Sequence, residues 1–463
     1  MHESFCFSSP PYTSVAIMED FLTWAKSQGI ISTASIEKTP YAGYGLFATQ
    51  DSCSNPVHIP FNALLSSQKA IQVEPFAAAL KALYGTDDLD QVAHTHEKQV
   101  LCLFLIYCQF FDHATDWKPY LDILPSIDFF KQHHLLFNLH YLQGTSLENS
   151  TRAKLNKLRR ELEEINQAES SWLSQIDIDM YKWADCIFWS RVVGIGGAFG
   201  GENSAACASN MVMVPYFDFA NHSVDRPNMR WQPTSDGGID LVTYPDMVKK
   251  GDELFLSYGS KPNQELLFLH GFCVENNPHP SCFTLPVAPF LHPEADPLNM
   301  PKIHWLQQSG VKPTLTLSPS SKDTTTDLMN MGWSRESIQL MYLVVMDEDN
   351  GVRFGLDEQE HVELYIQDQK VTSLDALEQI TSGMDLLPVI QLRVVMLLID
   401  ALQYQYSANT EHAMVDDTPI GKQALIYRNE EKSLLESALQ TLTKLSDELM
   451  QHATVVEYLK NAQ

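Results

Sequence analysis

Asn221-His222-Ser223, Tyr258 and Arg191 are the residues of this 463-residue chain whose types and spacing could do chemistry. A phenol donates and accepts a hydrogen bond and can share in moving a proton, and a guanidinium fork is shaped for a carboxylate. Each alone has a plainer explanation. Asn-His after the apolar run Met211-Val-Met-Val-Pro-Tyr-Phe217 describes a strand delivering a turn whose polar side chains cap backbone groups. Tyr258, in Leu256-Ser257-Tyr258-Gly259, reads by itself as a core or strand tyrosine, and Arg191 as a helix-terminal surface residue. A competing signal is Gly194-Ile-Gly-Gly-Ala-Phe-Gly-Gly201, whose glycines would let backbone N–H groups reach a phosphate or ribose. That run follows an aromatic helix instead of a strand and leads into Glu-Asn-Ser-Ala-Ala-Cys, so a loop is the better reading. No Ser sits in a GxSxG context, which removes the nucleophile elbow of hydrolases.

The elements that must position these residues are legible in outline. Helical spacing places Phe21, Leu22 and Trp24 on a helix over Met18–Gln28, stopped by Gly29. β-like sequence follows at Ile30-Ile31, Tyr41–Thr49 and Val57–Pro60, with Gly43 and Gly45 allowing close backbone approach. From about Gln68 to Val193 the pattern is helical. It includes a buried helix over Lys98–Phe111, a Pro-bounded connector over Trp117–Pro125, and a solvated helix over Ser150–Trp172 with Leu155, Leu158, Leu162 and Ile165 on one face. An aromatic helix spans Tyr181–Val193, in which Trp183 and Trp189 read as core. Strand character returns at Met211–Val214, Met229–Trp231, Ile239–Tyr244 and Glu253–Ser257, so β-rich segments flank a helical insertion. Thr314–Asp327 is a Ser/Thr/Pro-rich loop, and beyond it the chain reads as all helix. Val389, Leu392, Met396, Ile399 and Leu402 form one apolar face there, and Leu435, Leu439, Leu442, Leu445 and Leu449 another.

Bulk properties bound the function. At this length two or three domains are expected. With 44% hydrophobic and 10% aromatic residues the chain is globular, and no apolar run approaches the roughly 20 residues of a membrane helix. Residues 1–17, Ser/Pro-rich and without a signal-peptide pattern, read as a disordered tail. The eight cysteines form no CxxC pair, so a zinc cluster is not expected and reduced thiols are; the expected setting is cytoplasm and/or nucleus. The net charge of -27, from 58 acidic and 31 basic residues, argues against direct nucleic-acid binding and suits solubility or the steering of a basic partner.

Taken in order, the segments resemble the SET-domain protein methyltransferases of the Rubisco large-subunit lysine methyltransferase-like group. The resemblance is carried by Phe21-Leu-Thr-Trp24, Gly43-Tyr-Gly-Leu-Phe-Ala-Thr49, Trp117–Pro125, Gly144-Thr145, Ser190-Arg191, Val214-Pro215, Asp218-Phe-Ala-Asn-His222, Pro227-Asn228, Gly251–Gly259, Asn263–Leu267 and Gly271-Phe272. It implies an α+β protein: a β-rich SET fold over 18–290 with a helical insertion at about 77–210, then an all-α substrate-binding domain over 291–463. It implies S-adenosylmethionine as cofactor and transfer of its methyl to a lysine of a non-histone protein, by a monomeric enzyme with neither a metal nor a membrane attachment. Tyr258 would be catalytic, its hydroxyl facing the reacting methyl and amine. Arg191 would meet the cofactor carboxylate. Asn221 and His222 would lie at a knot-like crossing that holds the cofactor, with Asp218, Phe219 and Ala220 lining the same wall. Glu74, Pro75 and Phe76 would touch the cofactor, Phe272 would stack on adenine, and Asp218, Tyr258 and His270 would border the target amine. The chain departs from the family pattern at Phe47, Arg in some relatives, and at His270, Tyr in many. Because members of the family also methylate histidine, the alternatives are a histidine target or a non-catalytic SET-like interaction module.

Overall fold

The structure is a computed structural model that describes residues 15–40, 43–51, 54–195, 211–244, 248–320, 328–414 and 416–461. The chain divides into two compact units, one of residues 1–141, 149–279 and 414–426, the other of residues 142–148, 280–413 and 427–463. Against the expected division at 290/291, the first unit stops at His279 and takes in Met414–Ile426 from much later in the chain.

In the first unit the described helices of eight or more residues are α1 (Val15–Ser27), α2 (Glu74–Tyr84), α3 (Glu97–Ile106), α4 (Ser146–Asn166, from Asn149 on), α5 (Ile178–Arg191) and α6 (Asn263–His270). α1 begins before the expected Met18 and buries Met18, Phe21, Trp24 and Ala25, a stripe at helical spacing. α3 is apolar all round, with every residue from Val100 to Ile106 buried, and runs on into a π-helical turn at Tyr107–Phe111. α5 packs on α3, and α6 packs on α5. The solvated helix α4 turns Leu155, Leu158, Leu162 and Ile165 into the core, as its spacing requires.

The strands of this unit are short: β1 (Ile31–Ser32), β2 (Ala34–Thr39), β3 (Gly43–Ala48), β4 (Val57–Ile59), β5 (Leu65–Ser66), β6 (Val192–Gly194), β7 (Met211–Met213), β8 (Met229–Pro233) and β9 (Ile239–Thr243). They form three small antiparallel arrays: β1-β4-β9-β8, the β2-β3 hairpin and β5-β7-β6. β9 shows the alternation of a half-buried strand, with Ile239, Leu241 and Thr243 inward. The expected strand at Glu253–Ser257 is different. It makes only isolated bridges, Phe47 to Glu253 and His222 to Leu256, because it crosses its neighbours rather than running alongside one of them.

The second unit is mainly helical, with α7 (Asn299–Gln308), α8 (Arg335–Val345), α9 (Leu374–Ser382), α10 (Leu387–Glu411), α11 (Pro419–Met450, from Tyr427 on) and α12 (Ala453–Asn461). It also holds strands that the all-helical expectation omits. β10 (Phe283–Pro286) pairs with β11 (Thr314–Leu317), so the first part of the expected loop is strand, while 321–327 lie outside the described residues. β12 (Val352–Leu356), β13 (Val362–Ile366) and β14 (Gln369–Val371) form an antiparallel sheet. α10 is long and apolar enough to cross a membrane by length and composition, but its Ile390, Val394, Val395, Leu398 and Leu402 are buried in the core of the unit. Met396, expected on that face, is 45% exposed. Gly144 explains its own residue type: at φ +80° a Cβ would stand 2.3 Å from the Ala408 carbonyl oxygen.

Candidate active site

α5 delivers the first wall. Asp177 caps its N-terminus by accepting from the Met180 N–H, and Arg191 closes its last turn, where a cation is favoured by the helix carbonyls. The Arg191 side chain is buried, with Nη1 donating to Ser190 Oγ at 3.2 Å and Nε 3.9 Å from Asp218 Oδ1. Burial pushes the Asp218 carboxyl up to about 6, against the pull of Arg191 and the Tyr120 hydroxyl. The segment that carries Asp218 begins at Tyr216, a non-glycine residue at φ 75° held between Phe21 and Phe219. Such a conformation costs about 1–3 kcal/mol and persists only where packing over-determines it.

The two motif segments meet as a crossing. Leu256 N–H donates to Asn221 O at 2.9 Å, Ser223 N–H to Leu256 O at 3.0 Å, and Tyr258 N–H to His222 Nδ1 at 3.0 Å. Since a backbone N–H can only donate, Nδ1 is the acceptor and the imidazole proton sits on Nε2. Burial pulls His222 down to about 4, which keeps that ring neutral. Asn228 ties the same crossing, accepting from Phe255 N–H at 2.7 Å and donating to Glu253 O at 2.8 Å. Asn221 is fully buried, and its Nδ2 donates to Glu253 Oε1 at 2.7 Å and to Tyr44 O at 3.3 Å. The close approach explains Gly45: a Cβ there would stand 2.5 Å from Glu253 Oε1 and 3.1 Å from Asn221 Nδ2. Gly45→Ala is expected to lower stability by about 1–3 kcal/mol. A thermal melt matching the parent would show that the crossing is looser than its distances imply.

Beside the crossing lies an open cleft of about 370 Å³. Arg191, Asp218, Tyr258, His270 and Phe272 all line it, so five of the residues singled out in the sequence converge on one surface. The Tyr258 hydroxyl donates to Ala220 O at 3.0 Å, and its ring lies 5.0 Å from His222 and 5.3 Å from His270. The His270 ring is 6.0 Å from Phe272. Burial, and then the nearby cations Lys261 and Arg191 among others, pulls His270 down to about 3. Asn221 and His222 support the cleft from behind and do not line it. Phe219 and Ala220 are fully buried, Phe219 against Phe21 and Tyr44.

The Glu74-Pro75-Phe76 expectation places differently. These residues open α2, none of them lines the cleft, and Phe76 is fully buried against Phe104, Tyr107 and Trp172. Trp183 is core, its indole N–H on Pro125 O at 2.7 Å, but Trp189 lines the cleft. Trp231, Lys261, Glu265 and Leu269 also line it; only their closeness in sequence to the motifs could have marked them. Gly194 ends β6 at the cleft, and 196–201 of the glycine-rich run lie outside the described residues.

Three histidines, His134 and His222 buried and His270 half-buried, make acid stability a prediction. His134 and His270 are pulled to about 3 and His222 to about 4, in each case first by burial, from an ordinary 6.5. Below that ordinary value the unfolded chain binds protons that the folded chain refuses, so stability falls as pH falls toward 4. Asp218 opposes this, since a carboxyl raised to about 6 contributes stability at low pH that is lost as pH rises through that value. Near pH 5 these four groups together differ by about two protons, or ~3 kcal/mol per pH unit. Thermal melts between pH 7 and 4.5 should show the loss; a flat melting temperature would contradict it.

No family model matches the chain. Among curated proteins it is 27% identical over 199 residues to the ribosomal lysine N-methyltransferase set10 of Schizosaccharomyces pombe, covering 42% of this chain and 34% of that protein. It is 26% identical to the chloroplastic [fructose-bisphosphate aldolase]-lysine N-methyltransferase of Arabidopsis thaliana, covering 60% and 56%. It is 23% identical to the actin-histidine N-methyltransferase of Xenopus tropicalis, covering 56% and 44%. The chain thus spans about a third to somewhat over half the length of these relatives. Among solved structures it matches the SET domain of LSMT bound to lysine and AdoHcy with a TM-score of 0.66 at 18% identity, over 95% of this chain and 94% of that one. Rubisco LSMT bound to AdoMet matches with a TM-score of 0.65 at 17% identity over the same shares. The fold is therefore the SET fold of the Rubisco large-subunit methyltransferase group.

Proposed function

We propose that this chain, which has the SET fold and relatives among the SET-domain methyltransferases, transfers a methyl group from S-adenosylmethionine to a lysine of a non-histone protein. The observation that carries the reading is the convergence of Arg191, Tyr258 and Phe272 on one cleft, with Tyr258 locked by its hydroxyl to Ala220 O and by its N–H to His222.

The residues fit the cofactor. Arg191 offers a guanidinium to a carboxylate. Phe272 supplies an aromatic wall of the cleft. When bound, S-adenosylmethionine supplies an electrophilic methyl on a sulfonium. The protein's part is to present a neutral amine in line with it. A lysine with a solution pKa of ~10.4 is mostly protonated, and loss of water on entering the cleft beside Tyr258, His270 and Phe272 disfavours that charge. The Tyr258 hydroxyl would orient the amine so that its lone pair faces the methyl, and the proton the amine sheds would leave to water. The net charge of -27 favours a basic target segment.

A histidine target is the second reading, favoured by the actin-histidine N-methyltransferase likeness and by His270 at the cleft. Labelled methyl transfer into a cell extract, followed by mass spectrometry of the modified residue, separates the two. Absence of S-adenosylmethionine binding by calorimetry would instead favour a non-catalytic interaction module and sink both.

A further inference from the structure

Beside the cleft lies a set of charges, gathered on one buried carboxylate, that the transfer chemistry leaves unused. Asp185, one turn and a half before Arg191 on α5, has a side chain 1% exposed, with Lys98 Nζ at 2.7 Å and Lys154 Nζ at 2.6 Å. The two lysines come from α3 and α4, so three helices meet at one carboxylate. Burial works against charge on Asp185, but the two ammonium groups outweigh it and hold the carboxyl below its ordinary range. Burial likewise works against Lys98, and Asp185 outweighs it, holding the ammonium above its ordinary range.

The cations are covered by rings. Trp189, four residues after Asp185 and so on the same face of α5, has its ring centroid 5.9 Å from Lys98 Nζ and 5.7 Å from Lys154 Nζ. Lys154 Nζ is also 4.9 Å from the Phe268 ring of α6. Each ring is continuous with a wall of the cleft. Trp189 itself lines it beside Ser190 and Arg191, and Phe268 directly precedes Leu269 and His270, which line it from α6. Lys154 is therefore the cation that the two walls share, held in place by a carboxylate within a setting that salt screens little.

We infer that Lys154, anchored by Asp185, is a positioning residue that fixes the spacing of the Trp189–Arg191 and Phe268–His270 walls and, through it, the grip of Arg191 on the cofactor. The inference rests on the methyltransferase reading above. Lys154→Met keeps the apolar stem and leaves Asp185 still paired with Lys98, so the fold has a route to survive the change.

Calorimetric titration of the full chain with S-adenosylmethionine, together with steady-state kinetics, tests it. Lys154→Met is expected to weaken cofactor binding about tenfold, with KM rising in parallel and kcat within about threefold of the parent. Lys154→Arg, which keeps the cation, is expected to bind within about threefold of the parent. A folded Lys154→Met that binds like the parent overturns the inference, and so does a Lys154→Arg as weak as Lys154→Met. Should Lys154→Met fail to fold, Trp189→Phe against Trp189→Leu asks the same question from the ring side: Phe should retain binding and Leu lose about tenfold, and equal binding by the two overturns the inference. A parent protein that does not bind S-adenosylmethionine sinks the methyltransferase reading instead.

Discussion

Tyr258→Phe should leave S-adenosylmethionine binding within about threefold of the parent while turnover falls by roughly a hundredfold or more. The separation follows from what the substitution keeps. The ring remains stacked on His222 and tilted against His270, at centroid distances of 5.0 and 5.3 Å, and the backbone N–H still donates to His222 Nδ1. Only the hydroxyl goes, and with it the donor to Ala220 O. Losing that bond costs about 1 kcal/mol of stability, too little to unfold a domain. A single-turnover measurement at saturating cofactor reads the effect without interference from binding. Parent-like turnover would remove Tyr258 from the chemistry even if the enzyme reading stands.

Asn221→Asp is the larger structural prediction, although the two side chains have nearly the same shape. Nδ2 donates to both Glu253 Oε1 and Tyr44 O, so the substitution aims a carboxylate at two acceptors, one of them a carboxylate 2.7 Å away. Glu253 Oε1 is also packed close to Gly45, where a Cβ would stand 2.5 Å from it. The expected loss is more than about 3 kcal/mol, exceeding that of Asn221→Ala, and cofactor binding should vanish with the crossing. Glu253→Gln in the Asn221→Asp background reverses the polarity of the pair, because the Gln amide donates where Asn221 used to. Recovery of a good part of the melting temperature in that double variant is the expected outcome. An Asn221→Asp protein as stable as Asn221→Ala would mean that the carboxylate repulsion is not felt.

The residue types at Asn221, His222, Tyr258 and Arg191 were readable because each must be a particular chemical group, and their order along the chain carried what no single residue could. Elements were readable where apolar spacing is clean, as in α1, α4 and β9. Glu253–Ser257 has the composition of a strand, but its backbone groups are divided among Leu46, Asn221 and Asn228, and nothing in composition reveals that division. Phe76 packs in the core, and an aromatic beside a site and an aromatic in a core look alike in sequence; the rings of Phe104 and Trp172 that surround it come from later segments. The β13-β14 hairpin has no sequence signature because its turn uses Gln367-Asp368 at φ 48° and 64°, conformations usually announced by Asn-Gly or Asp-Gly.

The crossing also constrains how the chain reaches its native state. Asn221 joins Tyr44 and Glu253, partners 177 and 32 residues away, so the cleft has no local precursor that a short stretch could form alone. Contacts of such sequence separation pay their loop-closure entropy before they return any enthalpy. Cofactor capacity should therefore appear in the last phase of refolding, after helical signal is regained, and core substitutions far from the cleft should reduce the number of competent molecules while each survivor turns over at the parental rate.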